Sequence, residues 1–324
     1  MYYILLIIAL FAAQLAYFRV ADFFNIIDKP NLRSSHTQIT LLGGGILFYI
    51  GLLLYFGLEG FRYPWFFVGL TMITMVSLAD DIRPRSAKLR LVIHFTAMAF
   101  MFYEWGLFQM PWYFTLIALI LCTGILNAYN FMDGINGMTG GYSLIVAVGL
   151  WYINSYFIAF VDNELIYTLI LSLLVFSVFN FRTKAKCFAG DVGAISVAFI
   201  LVFLLGQLIL KTGDFSYIVL LAVYGVDTVL TIIHRLILKK NIFTAHRKHA
   251  FQLMANELKI PHLLVSSFYM LLQSLVIIGF LVFKTWSYIY LGVIIFTLSL
   301  AYFLFIDHFF HLHKDSPNYL KKKS

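Results

Sequence analysis

The sequence predicts an all-α, polytopic integral membrane protein of about 11 (10–11) transmembrane helices, with a candidate active site in cytoplasmic loops. Three observations carry this reading. First, 62% of the 324 residues are apolar, 12% are charged and the mean hydropathy is +0.89. Soluble domains carry about 25% charged residues and cannot cover so much apolar surface. Second, at about 20 residues per crossing, the roughly 200 apolar positions supply about ten helices. Third, the basic residues gather on alternate connections between apolar runs. A soluble enzyme, a disordered chain and a disulfide-stapled secreted domain are excluded.

A hydropathy window of about 19 residues places crossings near 2–20, 42–57, 64–79, 91–103, 112–127, 138–153, 164–180, 194–210, 216–232, 263–282 and 287–306. Residues 1–306 then read as one helical domain with five cytoplasmic loops, and 307–324 as a basic tail. The opening MYYILLIIALFAAQLAYFRV lacks a basic leader and a small-residue cleavage site, so it reads as a retained first span. Cys122 and Cys187 lie in apolar surroundings without metal-ligand spacing and read as small core residues.

Twenty of the 23 Lys and Arg residues fall in the segments 19–41, 80–90, 128–137, 181–193, 233–262 and the tail. The other side holds Arg62, Lys211 and Lys284. Positive charge stays in the cytoplasm, so the rich side is the inner one, with the N-terminus outside and the C-terminus inside. The net charge of +8 suits anionic lipid headgroups rather than nucleic acid.

The inner loops hold most of the residues with chemistry to offer. The first, 28–46, supplies Lys29, Arg33 and His36 before Gly43, Gly44 and Gly45, which let a ligand or another helix approach the backbone closely. The second, SLADDIRPRSAKLRL, places Asp80 and Asp81 where a span meets cytosol. Such acids are expensive there unless paired to the following Arg83, Arg85, Lys88 and Arg90 or bound to a cation. The third, NAYNFMDGINGMTGG, has no basic residue and repeats Asn127, Asn130, Asp133 and Asn136 every three positions. It suits a substrate cradle, or simply a structural turn.

The fourth loop sets Asp191 between Gly190 and Gly193, after Phe188 and the basic Arg182, Lys184 and Lys186. The fifth and longest carries His234, Arg235, His246, Arg247, Lys248 and His249. These suit a pyrophosphate, or a basic interfacial helix on anionic lipid. Asp227 stands inside a span, two turns before His234, as either a functional acid or a structural partner of His234 or Arg235. His94, within the fourth span, reads as a hydrogen-bonded core histidine.

Taken in order, DKPNLRSSH…GGG, ADDIRPRSAKLRL, NAYNFMDGINGMTGG, FAGDVGA and HR…NIFTAHRKHAFQ resemble one family. It is the polyprenyl-phosphate N-acetylhexosamine-1-phosphate transferases of glycosyltransferase family 4, which include the translocase that begins lipid-linked peptidoglycan synthesis. The resemblance implies catalytic roles for Asp80, Asp81, Asp133 and His249, and Mg²⁺ (Mn²⁺ as substitute) held by Asp191 with Asp80 and Asp81. It implies that Phe188 stacks on uracil, that Asn127, Asn130 and Asn136 line the polar motif, and that Asn180, near the position of a family asparagine that contacts the nucleotide, belongs to the substrate-binding set. Lys88, Arg33, His36, His246 and Arg247 complete the implied substrate-binding set. Asn136 stands where several relatives carry a second aspartate. The translocase's histidine triplet is reduced to His249-Ala-Phe-Gln, which argues for a simple UDP-amino sugar, and the first loop lacks the proline-rich run before its glycines.

The expected reaction is attack by undecaprenyl phosphate on a UDP-N-acetylhexosamine, releasing UMP, as the first membrane step of a surface glycan in a bacterial inner membrane. The expected partners are that lipid, a UDP-amino sugar, membrane lipid and a second copy of the chain. Two rivals remain at this point. A proton-coupled transporter or lipid flippase would use Asp227, Asp80 and His94 as a relay. An intramembrane prenyltransferase would want aspartate-rich repeats, which Asp80-Asp81 does not extend.

Overall fold

The computed structural model describes residues 1–30, 35, 38–239 and 248–309. The apolar runs become α1 (Tyr2–Phe23), α2 (Ile46–Glu59), α3 (Pro64–Ile82), α4 (Ala87–Glu104), α5 (Trp112–Met132) and α6 (Met138–Tyr156). They continue as α7 (Asn163–Asn180), α8 (Gly190–Thr212) and α9 (Ala222–Ile237), the last led in by a 3₁₀ segment over Phe215–Leu221. A three-residue α10 (Ala250–Gln252) runs into a π-type turn, and α11 (His262–Val282) and α12 (Ser287–Phe309) complete the described chain. Two strands of two residues, β1 (Ile27–Asp28) and β2 (Thr40–Leu41), pair antiparallel in the connection between α1 and α2.

Among the described residues, eight helices are long and apolar enough to cross a membrane, against the eleven crossings expected. α2 is a shorter apolar helix. α4 carries Lys88 and Arg90 near its start, and α6 buries Thr139, Ser143 and Asn154 within the protein. These polar residues lower the apolarity of both helices.

Local chemistry sets the helix ends. Pro64, Pro111 and Pro261 stand at or just before the starts of α3, α5 and α11, where the missing N–H costs nothing. Ser86 caps α4 by accepting the Leu89 amide at 3.3 Å. Glu104 at the end of α4 reaches across to accept the Trp65 and Phe66 amides at the start of α3. α8 is the axis of the bundle, 83% of its apolar window being buried, with α2, α3 and α5 packed on it. Phe66 of α3 stacks on Phe203 of α8 with centroids 3.8 Å apart. α12 is the opposite case, at 11% buried, and presents an apolar surface suited to lipid.

Polar contacts between distant segments respect the two ends of the bundle. At one end Asp162 bonds Arg62 and Tyr55, and Lys284 bonds Asp214. These neutralise two of the three basic residues expected on the charge-poor side. The other end collects the connections around 41–45, 81, 133–137, 181–191 and 249–250.

The main correction to the sequence reading concerns where helices stop. α3 runs through Ile82, α5 through Met132, and α8 begins at Gly190. Asp80, Asp81, Asn130 and Asp191 therefore stand on helix ends rather than in loops. A hydropathy window closes a span at its first polar residues, whereas the helix continues because those residues find partners there.

Candidate active site

The site assembles where α3, α4, α5 and α8 meet. Asp80 and Asp81 follow one another on the last turn of α3 and point to different partners. Asp81 Oδ1 accepts the Asp191 amide and Oδ2 the Val192 amide, each at 3.0 Å. Asp81 is thus the N-terminal cap of α8, supplied from another helix. The chain enters α8 through Gly190 at φ +72°, and a Cβ there would lie 2.5 Å from Asp81 Oδ2. Only glycine fits both the backbone and the approaching carboxylate.

Asp80 turns the other way. Its Oδ2 accepts Arg90 Nη1 at 2.8 Å, and its Oδ1 takes the Arg85 amide. The same Arg90 nitrogen lies 3.6 Å from Asp191 Oδ2, while Asn130 Nδ2 donates to Asp191 Oδ1 at 2.8 Å. One guanidinium thus spans two carboxylates from different helices, and an amide orients the second of them.

Asp133 follows α5 directly. It is half-buried and accepts the Thr139 hydroxyl at 2.7 Å. Burial pushes its pKa up to about 7, against the lowering pull of the Thr139 bond and with the Asp191 charge adding to the rise. The turn after it is pinned by two buried asparagines. Asn180 accepts the Gly137 amide and donates to Cys187 O, both at 2.8 Å. Asn136 donates to Arg182 O at 2.7 Å and Thr183 O at 3.2 Å, and Ser266 bonds its carbonyl. Both side-chain amides are engaged with backbone, so these residues act in the structure as struts between connections.

The first loop also has a structural partner. Gly44 N donates to Phe188 O and Phe188 N to Leu41 O, each at 2.8 Å, and Gly45 N bonds Ala189 O at 3.1 Å. A Cβ at Gly45 would run into Gly193 Cα, so the glycines admit another helix, α8, at backbone contact. This pairing places Phe188 on a cavity of about 350 Å³, together with Asn136, Lys184, Thr40 and His262. Aromatic, amide and cationic groups facing one space suit a planar, anionic ligand.

His249 is 1% exposed and starts α10. Its Nδ1 lies 3.2 Å from Asp227 Oδ1, and Asp227 is itself 4% exposed. Tyr269 Oη donates to Asp227 Oδ2 at 2.6 Å. The pair borders the end of α5, with Phe131 6.1 Å from the imidazole ring and Phe251 against Gly134. The sequence reading missed this pairing, since it expected His234 or Arg235 as the partner of Asp227. An acid in an apolar helix was the available signal, but its partner 22 residues on was not readable. Among the described residues Asp227 bonds His249, Tyr269, Thr231 and Ala250, and not the Asp80 or His94 of the relay expected of a transporter.

Lys88 is exposed on the first turn of α4. Asn127 is exposed too, with its Nδ2 turned back to Thr123 O at 2.9 Å. Arg33, His36, His246 and Arg247 lie outside the described residues, as does the tail beyond Phe309.

Among the described residues no group of three or more acidic, histidine or cysteine side chains is arranged to hold a metal. The donor chemistry nevertheless fits Mg²⁺ arriving with a diphosphate, which needs only one or two carboxylates. Asp80 and Asp191 converge on one cation, Arg90. Asp81 fits less well, because both its oxygens serve the start of α8.

Residues 63–209, which span α3 to α8, match the sequence profile of glycosyl transferase family 4. The chain is 26% identical over 278 residues to undecaprenyl-phosphate alpha-N-acetylglucosaminyl 1-phosphate transferase of Escherichia coli K12, covering 77% of this chain and 75% of that protein. The protein of the same name from Salmonella typhimurium is 26% identical over 262 residues, at 73% and 71% coverage. A probable undecaprenyl-phosphate N-acetylglucosaminyl 1-phosphate transferase of Bacillus subtilis is 26% identical over 254 residues, at 71% and 70%. The matched profile takes in Asp80, Asp81, Asp133, Phe188 and Asp191, and it ends before Asp227 and His249.

Proposed function

We propose that the chain is a phosphosugar-transferring membrane enzyme of the glycosyl transferase family 4 kind, and that it moves HexNAc-1-phosphate from a UDP-N-acetylhexosamine to undecaprenyl phosphate. UMP is the second product, and N-acetylglucosamine or a close relative is the sugar. The reaction is the first membrane step of a cell-surface glycan, carried out at the inner face of a bacterial cell membrane. The sidedness rests on the sequence sorting of 20 of the 23 basic residues onto the segments 19–41, 80–90, 181–193 and 233–262 and the tail.

The observation that carries this reading is Arg90 shared between Asp80 and Asp191, 2.8 and 3.6 Å away, with Phe188, three residues before Asp191, on the wall of a cavity that none of those three side chains lines. A phosphate oxygen of the lipid attacks the sugar-bearing phosphorus, and the bond to the UMP oxygen breaks. Attacker and donor are both anionic, so the main obstacle is charge repulsion, and fixed positive groups lower it. Arg90 and Lys88 on α4 bring that charge to the diphosphate. Asn130 holds Asp191 in one orientation, and Asp81 holds the first turn of α8 that carries it. Phe188 offers its ring to the uracil, with Lys184 on the same wall. A divalent cation, held by Asp191 and Asp80, supplies further charge neutralisation when bound. The polyprenyl tail stays in lipid, which accounts for a membrane bundle around so small a polar site.

The test is UMP release by the purified chain in lipid, with undecaprenyl phosphate and a panel of UDP-amino sugars. UMP together with an organic-soluble sugar label is the expected result. Intact donor across the whole panel overturns the reading.

A further inference from the structure

α3 and α4 run antiparallel as one wall of the bundle. Trp65 of α3 stacks on Phe100 of α4 with centroids 5.6 Å apart and meets Tyr103 edge-on at 5.2 Å. Each helix has a stripe that the protein leaves uncovered. Trp65, Val68, Met75 and Ile82 form it on α3, and Val92, Phe95, Ala99 and Tyr103 on α4. Spacings of three, four and seven keep each set on one face. From Trp65 to Ile82 the stripe rises about 26 Å at about 1.5 Å per residue, close to the thickness of a bilayer's hydrocarbon. Trp65 and Tyr103 give this wall an aromatic end suited to one lipid–water interface.

The other end is cationic. Between Ile82 and Leu89, both about half exposed, the α3–α4 corner carries Arg83, Arg85 and Lys88 and no acid. All three are exposed, and among the described residues none of them forms an ion pair. The acid nearest in sequence that could answer them, Asp80, is held by Arg90 and by the Arg85 amide. Apolar and cationic side chains at the end of a lipid-facing wall match a molecule with an acyl tail and an anionic head. Arg19, exposed near the end of α1, differs because the exposed Asp22 stands three residues on.

We propose that the α3–α4 corner binds an anionic phospholipid of the bilayer, its phosphate held by Arg83 and Arg85 and its acyl chains lying along Ile82, Leu89 and Val92. The corner is fastened to the site. Arg85 Nε donates to Ala79 O at 3.3 Å, and the Arg85 amide donates to Asp80. An occupied corner steadies the connection that orients Asp80, so the lipid acts as an activator. Only this second effect rests on the transferase reading. Lys88 borders the corner, but that reading gives it a share in the diphosphate, so the test spares it.

The experiment uses the full chain in phosphatidylcholine vesicles with and without phosphatidylglycerol. Phospholipid retained on the chain after mild extraction is counted by native mass spectrometry, and UMP release is measured in the same vesicles. A basic residue near an anionic surface is worth about fivefold in association. Arg83→Gln is therefore expected to weaken the preference for phosphatidylglycerol over phosphatidylcholine by about fivefold, and the double change with Arg85→Gln by about 10- to 30-fold. Arg19→Gln is expected to leave it unchanged. Phosphatidylglycerol is expected to raise UMP release in the wild type. Arg83→Gln should lose that gain while keeping the rate found in phosphatidylcholine alone. No preference for phosphatidylglycerol in the wild type, or an equal loss in Arg19→Gln, overturns the proposal. So does displacement of the lipid by glycerol phosphate alone, which would make the corner a plain anion site. A raised KM for undecaprenyl phosphate in Arg83→Gln, with retention unchanged, would assign the corner to the acceptor and overturns it as well. Selective retention without a gain in rate, in a chain that turns over, overturns the activating role. Retention is read without turnover, so absence of transfer with every donor defeats the transferase reading alone.

Discussion

Asp81 and Asp191 are joined backbone to side chain, the Asp191 amide donating to Asp81 Oδ1 at 3.0 Å. The aspartate next to Asp81 does the reverse: Asp80 reaches Asp191 through Arg90, side chain to side chain. Two adjacent acids therefore hold the same residue by different parts, one fixing where α8 begins and the other sharing its charge.

That division predicts different failures for the two substitutions. Asp81→Ala leaves the Asp191 and Val192 amides without their acceptor and should lower stability by about 1–2 kcal/mol, the usual cost of a lost N-cap. Asp80→Asn keeps the helix end intact and should leave the thermal midpoint within a degree or two of wild type while activity falls. Thermal unfolding in parallel with UMP release separates them. Equal loss of stability in both variants would remove the distinction.

Arg90 is the cation already present between Asp80 and Asp191. Replacing it with Gln should leave two carboxylates with no shared partner, so that less Mg²⁺ is needed for half-maximal activity. Turnover at saturating Mg²⁺ should nevertheless fall by ~10²–10³, as expected when a preorganised donor to a phosphoryl group is lost. A Mg²⁺ titration after chelator treatment reads both numbers. A higher Mg²⁺ requirement in Arg90→Gln would mean that Arg90 helps to hold the cation rather than occupying its place.

Phe188 enters the cavity from the backbone pairing of 187–189 with 41–45. An aromatic stack is worth about 0.5–1.5 kcal/mol beyond area burial, so Phe188→Ala should raise KM for the nucleotide sugar by about 3- to 10-fold. The effect on kcat should be small, and Phe188→Tyr should restore most of the affinity. Inhibition by free UMP should weaken in parallel. Unchanged UMP inhibition in Phe188→Ala would place the base elsewhere.

The membrane architecture was legible because hydropathy and charge sorting are properties of whole segments. α1, α7 and α11 fall within a few residues of their expected spans. The candidate acids were legible too, since Asp80, Asp81 and Asp191 interrupt apolar runs. What each acid touches was not. Nothing local distinguishes Asp80 from Asp81. Their different partners depend on how α8 starts 110 residues later, at a glycine whose backbone leaves room for one of them. Asn136 and Asn180 illustrate the same point from the other side. Polar residues at a membrane edge signal that a site is near, yet the sequence does not show that Asn180 ties two connections together or that Asn136 does so while also lining the cavity. Asp227 was noticed for its cost, but its partner His249 lay in a loop whose pattern says nothing about which way it folds back.

Asp133 offers a test by pH. Burial raises its folded pKa to about 7, above the value near 3.9 expected of an unfolded aspartate. The folded chain therefore holds the proton more tightly than the unfolded one. Stability from this group is fully present below about pH 3.9 and is lost as pH rises through about 7. Asp133→Asn keeps an oxygen for the Thr139 hydroxyl but cannot ionise. It should raise the thermal midpoint at pH 8 relative to wild type and flatten its pH dependence between about pH 4 and 7. The same variant should lose turnover if the carboxylate is needed near the diphosphate. Stability gained together with activity lost marks a charge kept for chemistry rather than for folding. Thermal scans from pH 4 to 8, with UMP release on the same samples, read both quantities. A variant that is less stable than wild type at pH 8 would show instead that the ionised form is well accommodated, and Asp133 would then belong with Asn136 and Asn180 among the struts.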